Sequence, residues 1–195
     1  MNYLAHLCLS GIDEELMVGN FIADEVRGKN FGTRYRAGIS RGIALHRAID
    51  SFTDKHPRHH QCRQRLYDKH HHYSGVIVDI YFDHLLTRQW TRFNKTPLDE
   101  FVTYCFRALS AYKNEMPEKM PLMLERMIRH NWLINYQSFE GLQKAFEGMA
   151  RRAAYPSRMN EAVEDLKQRY ELFQEDFSNF FPVLQRFVAD WLIKN

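Results

Sequence analysis

Apolar residues recur at three- and four-residue intervals along almost the whole chain, and the two-residue alternation of strands bounded by turn pairs is absent. The pattern predicts helices over Asn2 to Leu9, from Asp13 to about Arg27, over Tyr35 to Thr53 and from Pro57 to about Asp68. Further helices are predicted over Tyr73 to Phe93, Pro97 to Lys113, Pro121 to Tyr136, Ser138 to Ala154 and Ser157 to Lys194, the last broken before Pro182. GKNFGT reads as a loop after the second helix. Pro57, Pro97 and Pro121 stand where helices begin, because the first helical turn leaves its N–H groups unused and proline has none to lose. Without an internal repeat, a low-complexity tract or a Pro/Gly/Ser linker, the 195 residues (1–195) are expected to form a single compact all-α domain.

Two of these helices break the usual division into an apolar and a polar face. In GIALHRAIDSFTD, His46, Asp50 and Asp54 recur every four residues among Ile43, Leu45, Ile49 and Phe52; in VIVDIYFDHLL, Asp79, Asp83 and His84 sit among Val76, Ile77, Val78, Ile80, Tyr81, Phe82, Leu85 and Leu86. Residues four apart share a helix face. A helix apolar nearly all round is buried, and a buried carboxylate is expensive unless it is paired or bound to a metal. Metal ligation and structural ion pairing both satisfy that requirement. Imidazoles with carboxylates suit manganese, iron or zinc, while the lack of a cysteine cluster argues against thiolate zinc. Asp54 lies near a helix end, where capping or exposure is expected. The run His70 to His72 reads as a loop surface, because adjacent helical residues point about 100° apart and converge poorly on one ion.

Charge adds a candidate partner. The formal net charge is only +3, yet ten basic residues face three acids between Gly28 and Lys69. Such a stretch suits an acidic or phosphorylated partner, or is simply a solvated basic face. Cys8, Cys62 and Cys105 are odd in number and far apart, so neither a disulfide framework nor a cysteine metal site is indicated. MNYLAHLCLSGIDEEL has neither the basic leader nor the long apolar stretch of a signal peptide, and no apolar run approaches the roughly 20 residues of a membrane span. A soluble cytoplasmic protein is expected, with neither a membrane nor a nucleic acid as partner.

The segments MNYLAHLCLS, GNFIADEVRG, GIALHRAIDSFTD, VDIYFDHLLTRQW and, more weakly, GLQKAFEGMARRA occur in an order and spacing that resembles the bacterial acyl carrier protein phosphodiesterases across nearly the whole chain. The resemblance implies a helical fold distantly related to the HD-type metal phosphohydrolases. It implies hydrolysis of the phosphodiester joining 4′-phosphopantetheine to a serine of acyl carrier protein, with a divalent cation, manganese first among them, as cofactor. The family-like positions are His6, Asp24, His46, Asp50, Asp79, Asp83 and His84 as metal ligands, with Asp24, His46 and Asp50 catalytic. One departure is that the pair naming the HD group is reversed here as Asp83-His84, so its ligand scheme does not carry over directly.

Each position has a plainer alternative. A lone His6 could be a core histidine bonded to a carbonyl, and Asp24 could pair with Arg27 or Arg47. Arg47, beside His46, could clamp a phosphate or face solvent. Acyl carrier proteins are acidic, so Arg34, Arg36 and Arg58 in the basic stretch are candidate docking residues. Two further functions stay open: an HD-like phosphohydrolase acting on a nucleotide or another small phosphoester, and a non-catalytic helical module for an acidic partner. No ExxH motif supports a di-iron carboxylate bundle.

Overall fold

The structure is a computed structural model and describes residues 1–155 and 157–195. Helix starts follow the local chemistry. After α1 (Tyr3–Leu9), Asp13 caps α2 (Glu14–Ile22) by accepting from the Leu16 amide at 3.0 Å. The chain then tightens into a 3-10 turn, Ala23–Glu25, instead of continuing helical to Arg27, so Asp24 projects from a turn. After a second such turn (Asn30–Thr33) come α3 (Ala37–Lys55) and α4 (Pro57–His70), the latter opened by Pro57 in its first turn. The remainder is α5 (Ser74–Arg88), α6 (Trp90–Phe93), α7 (Leu98–Ala111), α8 (Met120–Arg129), α9 (Trp132–Asn135), α10 (Phe139–Ala150), α11 (Ala162–Gln168) and α12 (Tyr170–Lys194). The described residues contain no strand, and none of their helices is long and apolar enough to cross a membrane.

Three expectations are corrected. The single helix expected from Pro121 to Tyr136 divides into α8 and α9 because Asn131 takes the left-handed conformation at φ 47°. The last expected helix breaks at Arg169, not before Pro182, and α12 runs straight through that proline. An interior proline costs a helix about 3 kcal/mol. Phe177, Phe180, Phe181 and Leu184 are fully buried around it, each contributing about 1.5–3 kcal/mol by burial, so packing overrides the local preference. The third correction is His70, which belongs to α4 and is buried, bonded through Nε2 to Asp165 at 2.7 Å and through Nδ1 to the Ser157 carbonyl at 3.1 Å.

Two features position the site. α5 is the core helix: Ile77, Val78, Ile80, Tyr81, Phe82, Leu85 and Leu86 are buried around its circumference, as an all-apolar helix requires. α2 and α3 meet backbone to backbone at two glycines. A Cβ on Gly19 would lie 2.0 Å from the Ile39 carbonyl oxygen, and one on Gly42 would lie 2.2 Å from that of Leu16. That approach sets Asn20 and the turn bearing Asp24 against His46 and Asp50.

Candidate metal centre

His46 is fixed first. Its Nδ1 donates to the Asn20 carbonyl at 2.8 Å, which leaves Nε2 facing Asp50 Oδ2 at 3.0 Å and Asp24 Oδ1 at 3.1 Å. The i, i+4 spacing on α3 supplies the first contact and the close α2–α3 packing supplies the second. From α1, the His6 ring stacks on His46 with centroids 4.0 Å apart and planes 11° from parallel. Asn20 holds that helix turn as well, its amide donating to the His6 carbonyl at 3.0 Å and to Ser10 Oγ at 2.9 Å.

His6 Nε2 lies 3.1 Å from Asp50 Oδ1 as an ion-pair contact, and neither ring nitrogen of this buried residue has a hydrogen-bond partner. A buried polar atom so placed is costly. One ligand atom each from His6, His46 and Asp50 lies within 4.8 Å of the others, which gives a neutral imidazole and a carboxylate a common ion to bind. The donor set therefore fits a divalent metal.

The electrostatics divide the two imidazoles. Burial, with the neighbouring His46 charge, pushes His6 down to about 4, so it is neutral near pH 7. Burial also opposes charge on His46, but Asp24 and Asp50 outweigh it and raise that group to about 9. Asp50 overcomes its own burial through His46 and His6 and is held well below the carboxylate range; Asp24 is lowered mainly by its bond to His46. Proton and metal thus compete for the same Nε2.

Asp79 reaches this cluster indirectly. Its Oδ1 lies 3.2 Å from the buried Met1 ammonium and 3.2 Å from His59 Nε2, and the ammonium also lies 3.4 Å from Asp50 Oδ1. Burial opposes the ammonium charge, but Asp79 and Asp50 raise it to about 10. His59 was not legible as a site residue: it enters from the first turn of α4, where nothing in PRHH relates it to Asp79.

Asp83 and His84 are not brought to the cluster, and the ligand roles expected of them are not supported. Asp83, fully buried, accepts from the Leu4 and Ala5 amides at 2.8 and 3.1 Å, capping α1 from a different helix, and burial pushes its carboxyl up to about 7 against those bonds. His84 points elsewhere, with Nδ1 donating to the Tyr136 carbonyl at 2.6 Å and Nε2 3.3 Å from the Tyr170 hydroxyl. Adjacent residues diverge by about 100°, so this Asp-His pair serves two different places. Asp54 is exposed and lies 3.6 Å from Arg63.

The arginines are more committed than the sequence suggests. Arg47 donates to the Val26 carbonyl at 2.8 Å and lies over the Phe31 ring, fastening the segment after Asp24. Arg36 pairs with Glu115 at 3.0 Å and Glu15 at 3.6 Å. Arg58, with Arg65, is bound to the buried Asp176 of α12, so it ties two helices together. Arg34 donates to the Arg27 carbonyl and remains exposed.

No solved structure matches the chain. A family model described as acyl carrier protein phosphodiesterase matches residues 1–184. A protein of Photorhabdus laumondii named acyl carrier protein phosphodiesterase is 32% identical over 185 residues, covering 94% of this chain and 93% of its own. Proteins of the same name from Salmonella paratyphi A and Salmonella agona are 30% identical over 183 residues, covering 93% of this chain and 94% of theirs. With a match that spans both histidines, the carboxylates around them and nearly all of the helical core, the chain belongs to the acyl carrier protein phosphodiesterase family.

Proposed function

We propose that this protein hydrolyses the phosphodiester between 4′-phosphopantetheine and the serine of holo-acyl carrier protein, releasing apo-acyl carrier protein. The observation that carries the reading is the His6, His46 and Asp50 cluster, with an unsatisfied buried imidazole, in a chain of this family. Those three residues would hold a divalent cation; oxygen and imidazole donors suit manganese, iron or zinc, and the family resemblance puts manganese first. A divalent ion bound there would supply positive charge for the phosphoryl oxygens and would lower the pKa of a water, easing its deprotonation to the nucleophile.

The chain's own groups do the rest. The Asn20 carbonyl keeps the proton on His46 Nδ1 and so keeps Nε2 directed at the site. Asp24, exposed at the rim and held ionised by His46, would take a proton from the attacking water. Asp79 balances the Met1 ammonium and keeps that charge from neutralising Asp50 alone. The exposed Arg27, Lys29 and Arg34 stand on the segment that follows Asp24, a position suited to steering an acidic carrier protein toward the rim.

Mass spectrometry of holo-acyl carrier protein incubated with the protein and manganese, with and without chelator, tests the proposal. Loss of the phosphopantetheine mass with manganese, suppressed by chelator, is expected; an unchanged carrier protein under both conditions overturns it. Reversing the charge of Lys29 and Arg34 together should raise KM for the carrier protein about ten-fold while leaving turnover of a small phosphodiester unchanged. Equal effects on both substrates would rule out docking at this segment.

A further inference from the structure

On the other flank of α5 lies a cleft of about 640 Å³ lined by His84, Arg88, Ser138, Phe139, Lys167 and Tyr170. We propose that it is a second ligand site, for a small aromatic phosphate of the nucleoside monophosphate class. It is separate from the metal centre. His84 follows Asp79 by five residues, which places it about 7.5 Å along the helix and about 140° around it. The volume lies within the roughly 300–1,000 Å³ that ligand clefts occupy.

The lining combines two recognition elements. Arg88 and Lys167 bring positive charge from α5 and α11, and among the described residues Arg88 has no carboxylate partner while Lys167 has only the exposed Glu164 at 4.0 Å. The acid nearest the start of α10, Glu140, is taken by Lys144 at 2.7 Å, so it does not cancel that charge. The second element is aromatic. Phe139 stacks on His84 with centroids 5.3 Å apart and meets Tyr170 edge to face at 5.9 Å, and Lys167 Nζ lies 5.4 Å from the Phe139 centroid. Burial lowers the His84 pKa, with Arg88 adding to it, against the Tyr136 carbonyl that accepts from its Nδ1.

A phosphate suits the pair of cations, because a guanidinium and an ammonium on one cleft both supply charge-assisted donors. A flat ring suits Phe139 and Tyr170, since stacking on an aromatic wall contributes about 1–3 kcal/mol per base. Neither element alone accounts for the other. A phosphate alone would leave the exposed part of Phe139 uncovered, and a neutral aromatic would leave Arg88 without a carboxylate counter-charge.

Calorimetric titration of the chelated protein with AMP, adenosine and inorganic phosphate tests this. AMP should bind at least about ten-fold more tightly than either fragment. The double variant Arg88→Glu with Lys167→Glu, both exposed side chains, should lose at least ten-fold in AMP affinity with its thermal melt unchanged. His46→Ala should bind AMP as wild type does, since the metal centre is not involved. Arg88→Gln, which keeps the size of the side chain without its charge, should lose affinity in the same direction if the double variant folds poorly. Absence of AMP binding, equal affinity in wild type and the charge variants, or loss of binding in His46→Ala would each overturn the proposal.

Discussion

Gly42→Ala should damage both the fold and the metal centre, and the size of the effect follows from the helix contact. The new Cβ would stand 2.2 Å from the Leu16 carbonyl oxygen, 2.8 Å from Gly19 Cα and 2.9 Å from the Asn20 nitrogen, where ordinary contact begins at 3.4 Å. All three are backbone atoms, so no side-chain rotation relieves the clash and α2 must move from α3 by about 1 Å. Overpacking of this kind costs about 1–3 kcal/mol or somewhat more, against a helix-propensity gain of about 1 kcal/mol for alanine over glycine. A net loss of up to about 2 kcal/mol lowers Tm by up to about 4–8 °C in a domain of this size. Because Asn20 on α2 holds both the His6 turn and His46, the same shift separates His6 from Asp50, and manganese affinity should fall at least about ten-fold. Gly148→Ala is the control, since a Cβ there meets only the ends of flexible side chains, Arg152 Nη1 at 3.5 Å and Arg151 Nη2 at 3.9 Å, and the helix should gain up to about 1 kcal/mol. Calorimetric melts and manganese titration of the three proteins provide the test. Gly42→Ala melting at or above wild type, or binding manganese equally well, would refute the reasoning.

Three further outcomes are expected. Asp24→Ala should lower turnover by at least about 100-fold with helicity kept and Tm lowered only by the loss of one ion-pair partner of His46; retained activity, or unfolding seen by circular dichroism, would contradict the role given to it. Metal analysis should find manganese lost from His46→Ala and Asp50→Ala but retained by Asp83→Asn, which instead loses about 1–3 kcal/mol of stability through the α1 cap; metal loss in the Asp83 variant would return that residue to the ligand set. With chelator present, His46, raised to about 9 from 6.5, contributes stability that is complete below pH 6.5 and is lost as pH rises through 9. Denaturant midpoints of wild type and His46→Gln should therefore converge across that window, and parallel curves would contradict the ion-paired state.

The sequence by itself determined the helical class, the identity of α3 and α5 as buried helices carrying acids, and the i, i+4 relation of His46 and Asp50, because each follows from local periodicity. It also carried the family resemblance. Tertiary structure decided which acids meet. Asp79, Asp83 and His84 share one short segment, yet one faces the Met1 ammonium and His59, one caps α1 and one lines a separate cleft. Helical phase separates them by fixed angles, but what fills each direction depends on helices distant in sequence. The same holds for Arg58 and His70, read as surface groups and found tied to Asp176 and Asp165 of the C-terminal helices. Pro182 is the converse case: its local preference to break a helix was legible, and the buried phenylalanines before it, with Leu184 and Val188 after it, overruled it. A pattern along the chain records what each residue favours alone, whereas burial and pairing are set by partners that only the packed fold supplies.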